Sequence, residues 1–116
     1  MKMHPLKIYI AGPMRGVPGF NYPAFNNWER SLRRMGFLVE NPAKIGKAFG
    51  TPEQINENPA LLKMVMDADI RALAKCDAVF ALNGWEDSEG ARKEMAIALF
   101  AGLGIILEPP TTRPQV

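Results

Sequence analysis

Glu94 occupies a position where a carboxylate is costly. In a helix over 88–102, the stripe spaced i, i+3, i+4, i+7, i+8 and i+11 collects Ala91, Glu94, Met95, Ala98, Leu99 and Gly102, five small or apolar residues and one acid. Burying an ionised carboxylate costs several kcal/mol unless it is paired, so such a residue is either compensated or used. A second segment repeats the conflict: Leu62, Val65, Met66, Asp69, Ile70 and Leu73 keep the same spacing, with Asp69 on the apolar stripe and Asp67 off it. Two such acids suit glycosidic-bond chemistry. There, one carboxylate attacks or stabilises an oxocarbenium-like carbon and another acid protonates the leaving group. The plainer alternative makes Glu94 an exposed first-turn acid favoured by the helix dipole. In the same spirit, Asp69 would be satisfied by a backbone amide or by nearby Arg71 or Lys75.

Two turns have a separate logic. In Gly12-Pro13-Met14-Arg15-Gly16 the glycines permit tight backbone conformations, and the guanidinium of Arg15 can fork onto an oxyanion. Ser88 and Gly90 at a helix N-terminus supply a hydroxyl, exposed amides and the positive end of the dipole, which is an anion site. Ser88 or Asp87 serves equally as an ordinary N-cap.

Composition removes most other chemistries. The chain has 116 residues, 47% of them hydrophobic and 22% charged, which suits a single domain over 1–116 with its own core. A net charge of +2, with Lys and Arg scattered, is too weak for a nucleic-acid surface but compatible with a small anionic ligand. Cys76 is the only cysteine and His4 the only histidine, so neither a disulfide nor a Cys/His metal cluster can form within the chain. The same count excludes Ser-His-Asp and Cys-His catalysis, because His4 lies in the N-terminal stretch, where fraying is expected. Catalysis then rests on carboxylates, hydroxyls or the phenol of Tyr9. Cys76 reads as a small core residue. No run reaches the ~18 apolar residues of a membrane span, and no signal-peptide pattern is present, so a cytoplasmic setting is expected.

The elements that must position these residues alternate in type. A β-rich run over 6–11 ends at Gly12-Pro13. A helix follows from Pro23, with Asn21 or Tyr22 as N-cap and Phe25, Trp28, Leu32 and Met35 on one stripe, closed by Gly36. Residues 37–39 form a brief second strand stopped by Asn41-Pro42, and 43–59 read as a long loop, the kind that serves as a lid or binding segment. A helix from Ala60, a buried strand over 78–82, the helix over 88–102 and a last strand over 105–107 complete the pattern, with an irregular tail over 108–116. Alternating strands and helices predict an α/β fold, a single doubly wound, Rossmann-like parallel sheet of four to five strands with helices on both faces. The order 2-1-3-4 is the simplest. It places a switch point between strands 1 and 3, where ligands bind outside the carboxyl ends, and both special turns leave those two ends.

Taken in order, Ile8-Tyr9-Ile10-Ala11-Gly12-Pro13-Met14 with Gly16, Asp69, and Gly84-Trp85 with Ser88, Gly90-Ala91 and Glu94 resemble the nucleoside 2-deoxyribosyltransferase-like superfamily. In the phosphate-facing residues the chain is similar to the 2′-deoxynucleoside 5′-phosphate N-hydrolase branch, and it also resembles a group of short uncharacterised phage and bacterial proteins. The resemblance runs from Ile8 to Ile106. It implies Glu94 as nucleophile, Asp69 as the conserved acid, Tyr9 as the strand-1 tyrosine near the sugar, and Arg15, Ser88 and Gly90 as holders of a 5′-phosphate. Gly12 would be a close-approach glycine, with Met14 and Gly16 beside it in the substrate-binding turn. Pro13 departs from the hydrolase branch, which tends to carry a small hydroxyl residue there. Trp85 and the 43–59 segment fit the short group better, with Trp85 either stacking on a base or packing in the core. The resemblance further implies a homodimer with a neighbour completing the pocket, no metal and no organic cofactor.

The expected activity is therefore an N-glycosidase acting on a (2′-deoxy)nucleoside 5′-monophosphate, a small-molecule substrate and not a nucleic-acid polymer or a membrane. Water as acceptor makes a hydrolase; a second base makes a deoxyribosyltransferase. A nucleotide-binding sensor module without catalysis is the rival from another class, and it would tolerate loss of Glu94.

Overall fold

A computed structural model describes residues 4–110. Four parallel strands form one sheet: β1 (Lys7–Ala11), β2 (Leu38–Glu40), β3 (Ala78–Ala81) and β4 (Gly104–Leu107), in the order β2-β1-β3-β4. This is the doubly wound arrangement expected from the alternation of elements, with four strands. Tyr9 pairs with Glu40 on one side and Val79 on the other, which fixes the register at the centre of the sheet.

Strand side chains alternate between faces, and the sheet accordingly has two cores. Ile8, Ile10 and Phe80 point to the face covered by α1 (Tyr22–Arg34), through Phe25 and Leu32. Tyr9, Ala11, Val79 and Ala81 point to the opposite face. That face is covered by Leu73 of α4 (Pro59–Ala74) and by Met95 and Ala98 of α5 (Glu89–Phe100). Cys76 is buried in this second core, as a small apolar residue would be.

The segment over 43–59 is not an irregular loop. It contains two short helices, α2 (Pro42–Lys47) and α3 (Pro52–Glu57). The prolines that suggest breaks are helix first turns, where a missing N–H costs nothing. Each follows a capping residue: Asn41 accepts from the amide of Ala43, Thr51 forms a capping box with Gln54, and Asn58 accepts from Ala60 and Leu61 at the start of α4. Asn21 does precede α1, but in a left-handed conformation (φ 60°), and its side chain donates to the carbonyl of Pro13 instead of capping.

Two apolar stripes end differently from expectation. Met35 is 64% exposed beyond the last turn of α1, and Leu99 is 67% exposed near the end of α5. Residues 108–110 are irregular as expected, and 111–116 lie outside the described residues. No described helix is long and apolar enough to cross a membrane.

Candidate active site

The strand period directs Tyr9 toward α5, and the spacing of α5 directs Glu94 toward Tyr9. Ser88 starts that helix by accepting from the Ala91 amide at 3.2 Å, and Ala91, Met95 and Ala98 bury its inner stripe, which carries Glu94 inward with them. The Tyr9 hydroxyl, fully buried, donates to Oε2 of Glu94. Burial pushes the Glu94 carboxyl up to about 7, and the Tyr9 hydrogen bond restrains the rise. The phenol of Tyr9 is raised in turn, by burial and then by the charges of Glu94 and Asp69.

Asp69 comes to the same place from α4. Its Oδ1 is buried without a hydrogen-bond partner, so the backbone amide or Arg71/Lys75 contact that would make it an ordinary satisfied acid is not formed there. Burial, then the nearby charge of Glu94, push its carboxyl up to about 8. Two acids in one low-dielectric space do not ionise together easily. Burial pushes both acids toward their neutral forms, and the charge of Glu94 adds to the rise of Asp69.

A carboxylate on the other face of the sheet shows what compensation looks like. Glu29 on α1 is 4% exposed and accepts from Lys44 at 2.8 Å, Arg33 at 2.7 Å and Asn41 at 2.9 Å. Burial would raise it, but these three donors outweigh burial and hold it down at about 2. Glu29 is structural, whereas Asp69 has an oxygen left over.

Asp69 and Glu94 line a cavity of about 560 Å³ at the carboxyl ends of β1 and β3, within the ~300–1,000 Å³ typical of small-molecule sites. Its neck is the turn after β1, where Gly12, Met14, Arg15 and Gly16 all face the space. Only glycine fits at position 12, because a Cβ there would meet Leu82 Cβ at 2.8 Å. At the mouth, Ser88 and Gly90 stand at the N-terminus of α5 with Arg15 and Lys93, alongside the acids Asp87 and Glu89. Glu89 pairs with Lys93 at 3.1 Å, and the exposed Arg15 donates through Nε to Asn56 of α3 at 3.3 Å. Among the described residues no three His, Cys, Asp or Glu side chains gather as a metal-binding set.

Trp85 does not line this cavity. It is partly buried against the core beneath α5, the packing alternative of its two sequence readings. Tyr9 is also behind the wall and reaches the cavity only through Glu94.

Sequence reasoning did not select the remaining walls. Leu62, Val65, Met66 and Ile70 of α4 line one side, and Gly46, Ile55 and Asn56 of the α2–α3 segment form a cover. Tyr22, the first residue of α1, meets the cover directly: a Cβ on Gly46 would sit 2.7 Å from its hydroxyl oxygen. Phe20 lies edge-on to Tyr22, with centroids 6.1 Å apart, and holds a left-handed backbone (φ 55°), which is strained for a bulky residue. The signal for the cover was present in the Asn-Pro and Thr-Pro pairs.

The family model described as a domain of unknown function, DUF4406, matches residues 6–107. Among solved structures, the chain is similar to a 2-deoxyribosyltransferase from the psychrotolerant bacterium Bacillus psychrosaccharolyticus, described as a biocatalyst for the synthesis of nucleosides. The likeness has a TM-score of 0.65 at 21% identity, and covers 87% of this chain and 70% of the other. The fold is thus nucleoside 2-deoxyribosyltransferase-like. No curated protein matches the chain.

Proposed function

The chain belongs to the DUF4406 family, and on that premise we propose that it is an N-glycosidase cleaving the base–sugar bond of a (2′-deoxy)nucleoside 5′-monophosphate. One observation carries the reading: two acids with raised pKa values face one cavity, Glu94 held by Tyr9 and Asp69 with an unpartnered oxygen. Glu94 attacks C1′; the C1′–N bond breaks, its electron pair leaves with the base, and Asp69 gives the base its proton. Water then attacks C1′ of the glycosyl ester, its proton returns to Asp69, and Glu94 leaves as a carboxylate. Tyr9 keeps Glu94 oriented throughout. Arg15, with Ser88 and Gly90, holds the phosphate, its Nε donating to Asn56 and its terminal guanidinium nitrogens reaching the ligand.

The activity named for the structural neighbour, a deoxyribosyltransferase, supports chemistry at C1′. A second base in place of water would complete transfer, and Arg15 together with the N-terminus of α5 favours a phosphorylated substrate and hydrolysis. The test is incubation with a panel of deoxynucleotides and chromatography for free base, with Glu94→Ala as control. Base release by the wild type and none by the variant is expected. No release from any substrate, with unchanged nucleotide binding by Glu94→Ala, would sink the enzyme reading in favour of a binding module. Equal turnover of a nucleoside and its 5′-monophosphate would overturn the phosphate assignment of Arg15 and Ser88.

A further inference from the structure

Lys and Arg are scattered along the sequence, but the fold gathers four of them. Arg30 and Arg33 of α1 and Lys44 and Lys47 of α2 line a second cavity, of about 600 Å³. On each helix the two cations are three residues apart, the spacing that puts side chains on one face. Glu29 is the acid set among them. Four cations against one carboxylate leave a net charge of +3, more than the +2 of the whole chain. Of the described residues that line the two cavities, Tyr22 alone is shared, so this space is separate from that of Asp69 and Glu94.

The hydrogen bonds of its walls are one-sided. Glu29 accepts the side-chain amide of Asn41 on Oε1 at 2.9 Å, and Arg33 and Lys44 on Oε2 at 2.7 and 2.8 Å. Asn26 accepts from Asn41 at 3.0 Å, which leaves its own NH2 to donate. The side-chain oxygens of both residues are engaged, and what they leave over is donors. Arg33 gives Nε to Glu29 and Nη2 to the carbonyl of Val39, keeping Nη1, and the Lys44 ammonium keeps two N–H groups. Arg30 donates to Asn27, and among the described residues neither it nor Lys47 pairs with an acid. Glu29, itself buried, thus fixes two cations at the cavity wall without using all their donors. Donors held in place beforehand cost less to order on binding.

We infer that this second cavity binds a small anion carrying at least two linked phosphoryl groups. Such a ligand presents anionic oxygens to both walls at once, to the guanidinium forks of α1 and to the ammonium point charges of α2. It ties α2 to α1, and α2 also carries Gly46 of the cover over the first cavity. The proposal does not depend on the reaction assigned to that first cavity.

The test is calorimetric titration of the intact chain with inorganic pyrophosphate at ~0.15 M salt, where diffuse attraction between exposed charges is largely screened. It is run in an Arg15→Ala background, which disables the mouth of the first cavity. Binding of one equivalent is expected. Arg30→Gln combined with Lys47→Gln should weaken it by about 100-fold, because each removes a charge-assisted bond while the Glu29 contacts stay in place. Inorganic orthophosphate, which meets one wall at a time, should bind more weakly than pyrophosphate by about 10-fold. Absence of pyrophosphate binding overturns the proposal, and so does binding that the double substitution leaves intact. Equal affinity for orthophosphate overturns the requirement for two phosphoryl groups.

Discussion

Replacing Asp69 by Asn should flatten part of the dependence of stability on pH. In the folded chain the Asp69 carboxyl is raised from 3.8 to about 8, and Oδ1 has no donor to reward ionisation. A group raised in this way contributes stability that is fully present below its unfolded pKa and is lost as pH rises through the folded one. Between about pH 5 and about pH 8 the unfolded chain is ionised at Asp69 while the folded chain holds the proton. At ~1.36 kcal/mol per unit, wild type should lose on the order of 3–4 kcal/mol from this residue over that window. Asn carries no such proton, so Asp69→Asn should lose less by that amount. At the alkaline end it should be more stable than wild type by about 1–3 kcal/mol, once the cost of its own poorly paired amide is subtracted. The measurement is urea unfolding followed by circular dichroism at both pH values. A variant that keeps the full wild-type slope would refute the argument, because Asp69 would then be neither buried nor unpaired in solution. Glu94 leaves a residual slope between its unfolded 4.5 and about 7, since burial and Tyr9 set its shift.

Tyr9→Phe removes the hydrogen bond that restrains the Glu94 pKa, so the acidic limb of a kcat/KM profile against pH should move upward from about 7, with activity lower by about 10–100-fold. An unmoved limb would detach Tyr9 from Glu94. Gly46→Ala should cost about 1–3 kcal/mol by thermal unfolding, because its Cβ would meet the Tyr22 hydroxyl at 2.7 Å. Adding Tyr22→Phe should recover most of that loss, and additive losses would place the clash elsewhere. Glu29→Gln should cost about 2 kcal/mol near neutral pH by weakening three donated hydrogen bonds. That difference should vanish as pH falls through about 2, where wild-type Glu29 takes up its proton.

The central layer was legible because period and burial agree there. Ile8 to Ala11 and Ala78 to Ala81 are apolar runs in a sheet covered on both faces, so their positions and the 2-1-3-4 order follow from connection rules. Glu94 and Asp69 were visible as acids on apolar stripes. Their joint access to one cavity depends on how α4 and α5 sit on the sheet, which no single stripe records. Glu29 escaped notice for the same reason. Its compensators, Lys44 and Asn41, are more than ten residues away, and only Arg33 is a helical neighbour. The cover over the cavity was misread locally, since proline marks both loop breaks and helix starts. The residue before it, Asn or Thr, decides between them.

Glu108 follows β4 directly, and its carboxylate accepts the Trp28 indole at 3.0 Å with one oxygen and the Asn83 amide at 2.8 Å with the other. The indole also packs on Phe80, with centroids 4.6 Å apart. One acid thus ties the last strand to α1 and to the loop after β3. The emission of Trp28 is consequently an optical gauge of whether β4 is docked, readable in a Trp85→Phe background without any label, and it would register detachment of the sheet edge before the central strands separate.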